Sequence, residues 1–167
     1  MDVLIRPVEP QEYSTLGELT AQTYLDDGLL AFGKEDPYLP VLRDTAARAA
    51  QSDVLVAVDG TGRILGGVAF TPGARPYANI ARDDEAEFRM LVVATEARNQ
   101  GIGEALVMAC VERARALDGC RRLVLSTDAM MHAAHRVYER MGFVRTPERD
   151  WSPFTELDPL LTYALEL

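Results

Sequence analysis

Cysteine is nearly absent. Two of the 167 residues are cysteine, Cys110 and Cys120, and two make no disulfide framework. Neither has a metal-type neighbour at ligand spacing, and Cys110 falls on the apolar face of a helix, where a thiol serves as a small core residue. No apolar run is long enough to span a bilayer, so no membrane partner is expected. The opening Met-Asp-Val-Leu-Ile-Arg-Pro lacks the basic stretch followed by an apolar one that marks a secretory leader, and the expected location is cytoplasmic. Positive charge is scarce: 17 Lys and Arg stand against 26 Asp and Glu, a net charge of −9. Phosphate backbones need clustered cations, so no nucleic-acid partner is expected. The acidity suits a cationic partner, and equally plain solubility. The only histidines are His132 and His135. Three apart on a helix they could share a face, but nothing at zinc-like spacing completes a ligand set, and no metal is expected.

What is present is an ordinary globular composition, 48% hydrophobic and 26% charged. The length fits a single domain over residues 1–167 that buries roughly two thirds of its unfolded surface. There are no repeats, low-complexity tracts or dividing linkers.

The chain is organised around residues 85–115, EAEFRMLVVATEARNQGIGEALVMACVERAR. A strand over 86–93, apolar from Phe88 onward except for Arg89, reads as buried on both faces. A helix opens at Gly101 with Ile102, Leu106, Ala109, Cys110 and Leu117 at helical spacing. Between them lies Arg98-Asn99-Gln100-Gly101-Ile102-Gly103. Glycines at the mouth of a helix let backbone N–H groups approach a ligand with no Cβ in the way. Those N–H groups lack internal partners and sit at the positive end of the helix dipole, so a phosphate or pyrophosphate suits them. Arg98 adds a charge-assisted donor. A tight strand-to-helix turn that binds nothing is the competing interpretation. A Walker A loop is excluded because Ile102-Gly103-Glu104 follows Gly101 where a Lys-Ser/Thr pair is required. The dinucleotide fingerprint fails at Leu106, where it needs a third glycine.

Along the rest of the chain, the patterns predict a strand over 3–5 and a helix from Pro10 to about Asp26 with Leu16, Leu19, Thr20 and Thr23 inward. A second helix is predicted over 38–50 with Leu39, Leu42, Ala46 and Ala49 inward. Strands over 54–58 and 64–70 flank an Asp-Gly hairpin turn at 59–62. A loop over 71–84 follows. Glu87 lies inside the central strand, where a carboxylate is costly unless a cleft or a cation meets it. It shares parity with Leu91 and Val93, and, barring a bulge, all three face one side. Such a carboxylate is a candidate general base, or else the partner of Arg89. Further on come a strand over 123–125, capping side chains at Ser126-Thr127-Asp128, and a helix with Ala134, Val137, Tyr138 and Met141 on one face. Gly142 stops that helix, Phe143 and Val144 begin a strand, a polar loop over 147–159 bears Trp151 and Phe154, and a closing strand covers 160–167.

Two motifs carry a family resemblance. Arg98-x-x-Gly101-x-Gly103 after a Leu-Val-Val strand, and Ala134-x-x-x-Tyr138-x-x-x-Gly142-Phe143, together resemble the GNAT N-acetyltransferase superfamily over essentially the whole chain. Thr95 departs from it where many members have proline. The resemblance implies an α/β (α+β) GNAT fold: a mixed central sheet of six to seven strands, splayed between strands 4 and 5 and flanked by about four helices. It implies acetyl-CoA as co-substrate and an amine-bearing small molecule or peptide as acceptor, with no metal. The pantetheine arm would lie on Leu91, Val92 and Val93, and the pyrophosphate on Arg98, Asn99, Gln100, Gly101, Ile102, Gly103 and Glu104. Tyr138 would reach the thioester sulfur and protonate the departing thiolate, and Glu87 would be the base. Tyr24, Phe32 and Tyr38 fall in the part that usually walls the acceptor site, and His132 near the cofactor arm. Family habit adds a homodimer. A non-catalytic acyl-CoA-binding module on the same fold, or an interaction protein whose turn binds nothing, are the alternatives.

Overall fold

The computed structural model describes residues 2–153 and 158–167. Its strands are β1 (Leu4–Pro7), β2 (Asp53–Val58), β3 (Ile64–Pro72), β4 (Glu85–Val93), β5 (Arg122–Thr127), β6 (Val144–Arg145) and β7 (Leu161–Glu166). Its α-helices are α1 (Tyr13–Asp26), α2 (Leu39–Arg43), α3 (Thr45–Gln51), α4 (Ile102–Ala116) and α5 (His132–Arg140). The sheet is mixed, in the order β1-β2-β3-β4-β5-β7-β6. β4 and β5 run parallel, and every other registered pair is antiparallel. The β4–β5 pairing is short: it covers Glu85 with Arg122, Ala86 with Leu123 and Glu87 with Val124, although both strands continue beyond it. The expected mixed sheet is what the structure has, with seven strands and the fourth and fifth running parallel.

The chain divides into two compact units. One holds the described residues up to Phe70 together with Met90–Ala109; the other holds Thr71–Arg89 and the described residues from Cys110 onward. In the first, β2 and β3 are buried along nearly their whole length. Helix α1 lies close against this sheet: a Cβ at Gly67 would meet Leu16 at 2.7 Å. A Cβ at the neighbouring Gly66 would meet the Val92 carbonyl oxygen at 2.5 Å and Leu106 of α4 at 3.3 Å. Gly66 thus admits the Val92 carbonyl of β4 at a separation a Cβ would not permit, and Gly67 makes room for the Leu16 side chain of α1. Ala21, Leu39 and Leu42 form a second cluster, covered by Tyr24, Leu25, Leu30, Tyr38 and Met90.

The second unit has an aromatic centre. Tyr138 of α5 lies 5.9 Å from Phe88, 5.9 Å from Phe143 and 5.8 Å from Tyr163, all tilted, and Phe88 meets Phe143 edge-on. Tilted and edge-to-face pairs of this kind are worth about 0.5–1.5 kcal/mol each beyond the area they bury.

Three local expectations are corrected. The helix expected over 38–50 is two helices, because Asp44 leaves the helical region and its carboxylate accepts the Ala47 N–H, starting α3 afresh. The break rotates the face, so Thr45 and Arg48 are buried in α3 and Ala46 is exposed. In α4, Val107, Val111 and Ala114 join Ile102, Leu106 and Cys110 in the core, while Ala109 and Leu117 are only half-buried. The Ser126-Thr127-Asp128 stretch does not cap α5. Asp128 Oδ1 accepts the Met130 N–H, and Ser126 Oγ accepts the Trp151 indole N–H. Trp151 also bridges to Leu160, and Phe154 lies outside the described residues.

Candidate functional site

In the first unit, β4 ends at Val93, and one turn of 3-10 helix at Thr95–Ala97 leads into the stretch from Arg98 to Glu104. The chain reverses there through two left-handed residues, Asn99 at φ 62 and Gly101 at φ 79. Asparagine and glycine are the residues that adopt this region at least cost. Gly101 faces open space, with nothing within 4 Å of where its Cβ would be, and the Gly101 carbonyl already accepts the Ala105 N–H. Gly103 lies flat on β4, its ideal Cβ 3.6 Å from the Val93 side chain. The result is an exposed α4 N-terminus held directly against the end of β4, with Val92 and Ile102 buried beneath and Leu91 and Val93 half-buried. The first N–H groups of a 15-residue helix have no partner inside it and carry the positive end of its dipole.

Arg98 already holds an oxyanion. Its two terminal nitrogens donate to both oxygens of Asp27, at 3.2 and 2.8 Å, from the end of α1. The guanidinium thus makes a bidentate contact with a planar oxyanion. The donor set therefore fits a pyrophosphate: one guanidinium, a helix N-terminus and a turn without side-chain obstruction. Gln100 turns aside to the Glu96 carbonyl.

In the second unit, Glu87 is fully buried. Its Oε1 accepts three successive backbone N–H groups, from Asn79, Ile80 and Ala81, at 2.9, 2.8 and 3.0 Å. Its Oε2 has no hydrogen-bond partner among the described residues. Burial pushes its carboxyl above the usual range, against the pull of those amides and of the Arg89 charge. Two residues upstream, Glu85 is also buried and accepts the Arg82 N–H and both terminal nitrogens of Arg149. Burial alone would raise its carboxyl too; the hydrogen bonds from Arg149 and the Arg82 amide, with the charges of both arginines, outweigh it and hold the group low. Arg149 donates as well to the Ile80 carbonyl, and Arg89 to the Tyr77 carbonyl. The loop between β3 and β4 is thus fastened by two carboxylates and two guanidiniums.

Met90 sits at φ 59 in the middle of β4. A left-handed residue breaks the alternation of a strand, so the parity drawn from Glu87 through to Leu91 and Val93 does not carry across it. The expected alternative partner of Glu87 is not in ion-pair contact either: Arg89 stacks on the Tyr77 ring, 4.3 Å from its centre. Tyr138 is buried in the aromatic centre. His135 is buried too, its Nε2 3.0 Å from the Asp128 carbonyl, and the His132 ring meets it edge-on at 5.8 Å. Among the described residues no group of three potential metal ligands occurs, and no helix is long and apolar enough to cross a membrane. Of the three aromatics assigned to the acceptor wall, Tyr24 and Tyr38 pack on the α1–α2 cluster, and Phe32 is 70% exposed.

Residue patterns pointed to Arg98 and Glu87 but not to their partners. Asp27 is 71 residues from Arg98 in sequence, and the amides of 79–81 have no side-chain signature at all.

The model of the acetyltransferase (GNAT) family matches residues 18–143 of this chain. Among curated proteins, N-acetyltransferase family 8 member 3 of Rattus norvegicus is 31% identical over 90 residues, which is 54% of this chain and 38% of that protein. The chain thus spans well under half the length of that relative. Among solved structures, the yncA protein of Salmonella typhimurium, determined with its cofactor acetyl-CoA, superposes with a TM-score of 0.72 at 18% identity over 100% of this chain and 95% of that one. A phosphinothricin acetyltransferase of Sinorhizobium meliloti in complex with acetyl-CoA gives 0.72 at 18% identity, covering 100% and 89%.

Proposed function

The chain belongs to the acetyltransferase (GNAT) family, and from that premise we propose that it is an acetyl-CoA-dependent N-acetyltransferase acting on an amine in the cytoplasm. The observation that carries this reading is the turn from Arg98 to Glu104, with its left-handed Asn99 and Gly101, open helix N-terminus and oxyanion-gripping arginine. Bound acetyl-CoA supplies an acetyl group activated as a thioester. Arg98, the backbone of Asn99 to Glu104 and the dipole of α4 hold the pyrophosphate. Leu91, Val92 and Val93 offer strand backbone groups to the pantetheine arm, and an N–H near Val92 or Val93 opposes charge developing on the transferred carbonyl oxygen.

Two proton transfers remain. An acceptor amine is largely protonated at neutral pH and must lose that proton before it can attack. Glu87 receives it, and because the side chain is fully buried the transfer runs through water. Its raised pKa makes it a better base than an ordinary carboxylate. Tyr138 gives its phenolic proton to the departing thiolate. Neither cysteine serves as an acyl carrier. Burial pushes the Cys110 thiol up to about 12, and it also raises Cys120, which is half-buried.

The test is thiol release from acetyl-CoA across a panel of small amines and peptides. Turnover dependent on both substrates is expected. Tight acetyl-CoA binding with no turnover on any amine would favour a non-catalytic acyl-CoA-binding module instead.

A further inference from the structure

Several arginines of this acidic chain meet carboxylates. Arg6 meets Glu12, Arg98 meets Asp27, Arg122 meets Glu166, Arg145 meets Asp150 and Arg149 meets Glu85. Arg89 is half-buried and makes no ion pair among the described residues. One of its terminal nitrogens donates to the Tyr77 carbonyl at 3.0 Å, and its Cζ lies 4.3 Å over the Tyr77 ring. The carbonyl and the ring face fix the plane of the guanidinium, and none of its remaining donors meets an acceptor among the described residues. A half-buried cation fixed in this way is preorganised as a receptor, because its ordering cost is met before a ligand arrives.

Its neighbour on the strand gives the ligand a direction. Glu87 lies two residues away, before the irregularity at Met90, so the two share one side of β4 about 7 Å apart along the strand. The two opposite charges do not neutralise each other by contact. Glu87 commits one oxygen to the loop amides and leaves the other without a hydrogen-bond partner.

We propose that the acceptor is an α-amino acid or a close zwitterionic relative, its carboxylate gripped by Arg89 and its ammonium end drawn toward the charge of Glu87. This rests on the acetyl-transfer reading above and names the substrate class for it. Arg89 is then a specificity-determining residue. Its fork recognises a planar oxyanion in a way that a lysine point charge would not.

The experiment measures thiol release from acetyl-CoA with the twenty α-amino acids, each beside its amide and its decarboxylated amine. It uses the wild-type chain, Arg89→Lys and Arg89→Met, with acetyl-CoA affinity and thermal stability measured in parallel. At least one amino acid should turn over. Loss of its carboxylate should lower kcat/KM about 10- to 100-fold, the worth of a charge-assisted hydrogen bond. Arg89→Met should raise KM for that amino acid by a similar factor with little change in kcat, and should leave the carboxylate-free amine unaffected; Arg89→Lys should fall between. Equal turnover of carboxylate-free amines by the wild-type chain would overturn the inference whether or not the variants fold. So would an equal loss on both substrate types in Arg89→Met, or acetyl-CoA binding without acetylation of any amino acid. Absence of acetyl-CoA binding would instead remove the underlying acetyl-transfer reading, and this inference with it.

Discussion

The guanidinium of Arg98 and the carboxylate of Asp27 face each other as two parallel hydrogen bonds, at 3.2 and 2.8 Å, across 71 residues of sequence. The pair is partly open to water, with side-chain exposures of 38% and 30%. Asp27 therefore occupies the donors proposed to meet a pyrophosphate, and a ligand binding there would have to displace it. Exposed pairs of this kind are worth about 0.2–1 kcal/mol. Asp27→Asn should tighten acetyl-CoA binding by about two- to fivefold in a calorimetric titration, and the gain should shrink as salt is raised. Weaker binding in the variant would mean that Asp27 positions Arg98 rather than competing for it.

Glu87 joins a structural task to a proposed chemical one, and two substitutions separate them. Glu87→Ala leaves the N–H groups of Asn79, Ile80 and Ala81 without their acceptor, which costs about 1–3 kcal/mol for each amide that water does not reach. Glu87→Gln keeps an oxygen for those amides. It should hold stability near wild type at neutral pH while removing turnover.

The same residue sets a pH dependence. Its folded pKa lies above the unfolded value near 4.5, so the folded chain binds that proton more readily between the two. Its contribution to stability is then greatest below the unfolded value and declines as pH rises through the folded one. Denaturant unfolding from mildly acidic to neutral pH should show this decline in the wild-type chain and not in Glu87→Gln. An unchanged slope would mean that the carboxyl is not the group responsible.

Glu85 behaves in the opposite sense. Its carboxyl is held low, chiefly by Arg149 against the effect of burial, so the stability of the pair is fully present above the unfolded value near 4.5. That stability is lost as pH falls through the lower folded value. Arg149→Met leaves a buried carboxylate with the Arg82 amide and charge and the more distant Arg122, at 3.7 Å. The expected loss is about 3–5 kcal/mol by thermal or denaturant unfolding. A loss under 1 kcal/mol would show that water or Arg122 replaces the missing partner.

Tyr138→Phe removes a hydroxyl and leaves the ring among Phe88, Phe143 and Tyr163. In the proposed role of proton donor to the thiolate, the hydroxyl would account for about 10²- to 10⁴-fold in rate. The variant should therefore lose kcat while acetyl-CoA affinity and folding stay close to wild type. Undiminished turnover would remove Tyr138 from the reaction.

Helices α1, α4 and α5 were legible in the sequence because one face of each is buried, and the strands from β2 to β5 because they form short, largely apolar runs. The turn over 98–104 was legible because the backbone needs glycine where it turns left-handed, and glycine is visible in a sequence. What stayed hidden depends on partners distant in the chain or on groups without side-chain identity. Asp44 ends one helix and starts another by capping, which the alanine-rich pattern of 45–50 conceals. Met90 takes a left-handed conformation with nothing in its chemistry to announce it. The loop between β3 and β4 reads as irregular, yet two buried carboxylates order it through backbone amides, which are the same for every residue type.

The central claim is that the turn from Arg98 to Glu104 binds a pyrophosphate. Its most direct test is a set of calorimetric titrations: acetyl-CoA on the wild-type chain and on Arg98→Met, and S-acetylpantetheine, which keeps the thioester and the arm but lacks the pyrophosphate and the nucleotide, on the wild-type chain. The account predicts saturable one-to-one binding of acetyl-CoA, weaker binding of it by Arg98→Met, and binding of the pantetheine analogue weaker by at least tenfold. Unchanged acetyl-CoA affinity in Arg98→Met, or equal affinities for the two ligands, would place recognition elsewhere than this turn, and absence of acetyl-CoA binding to the folded chain would contradict the account outright.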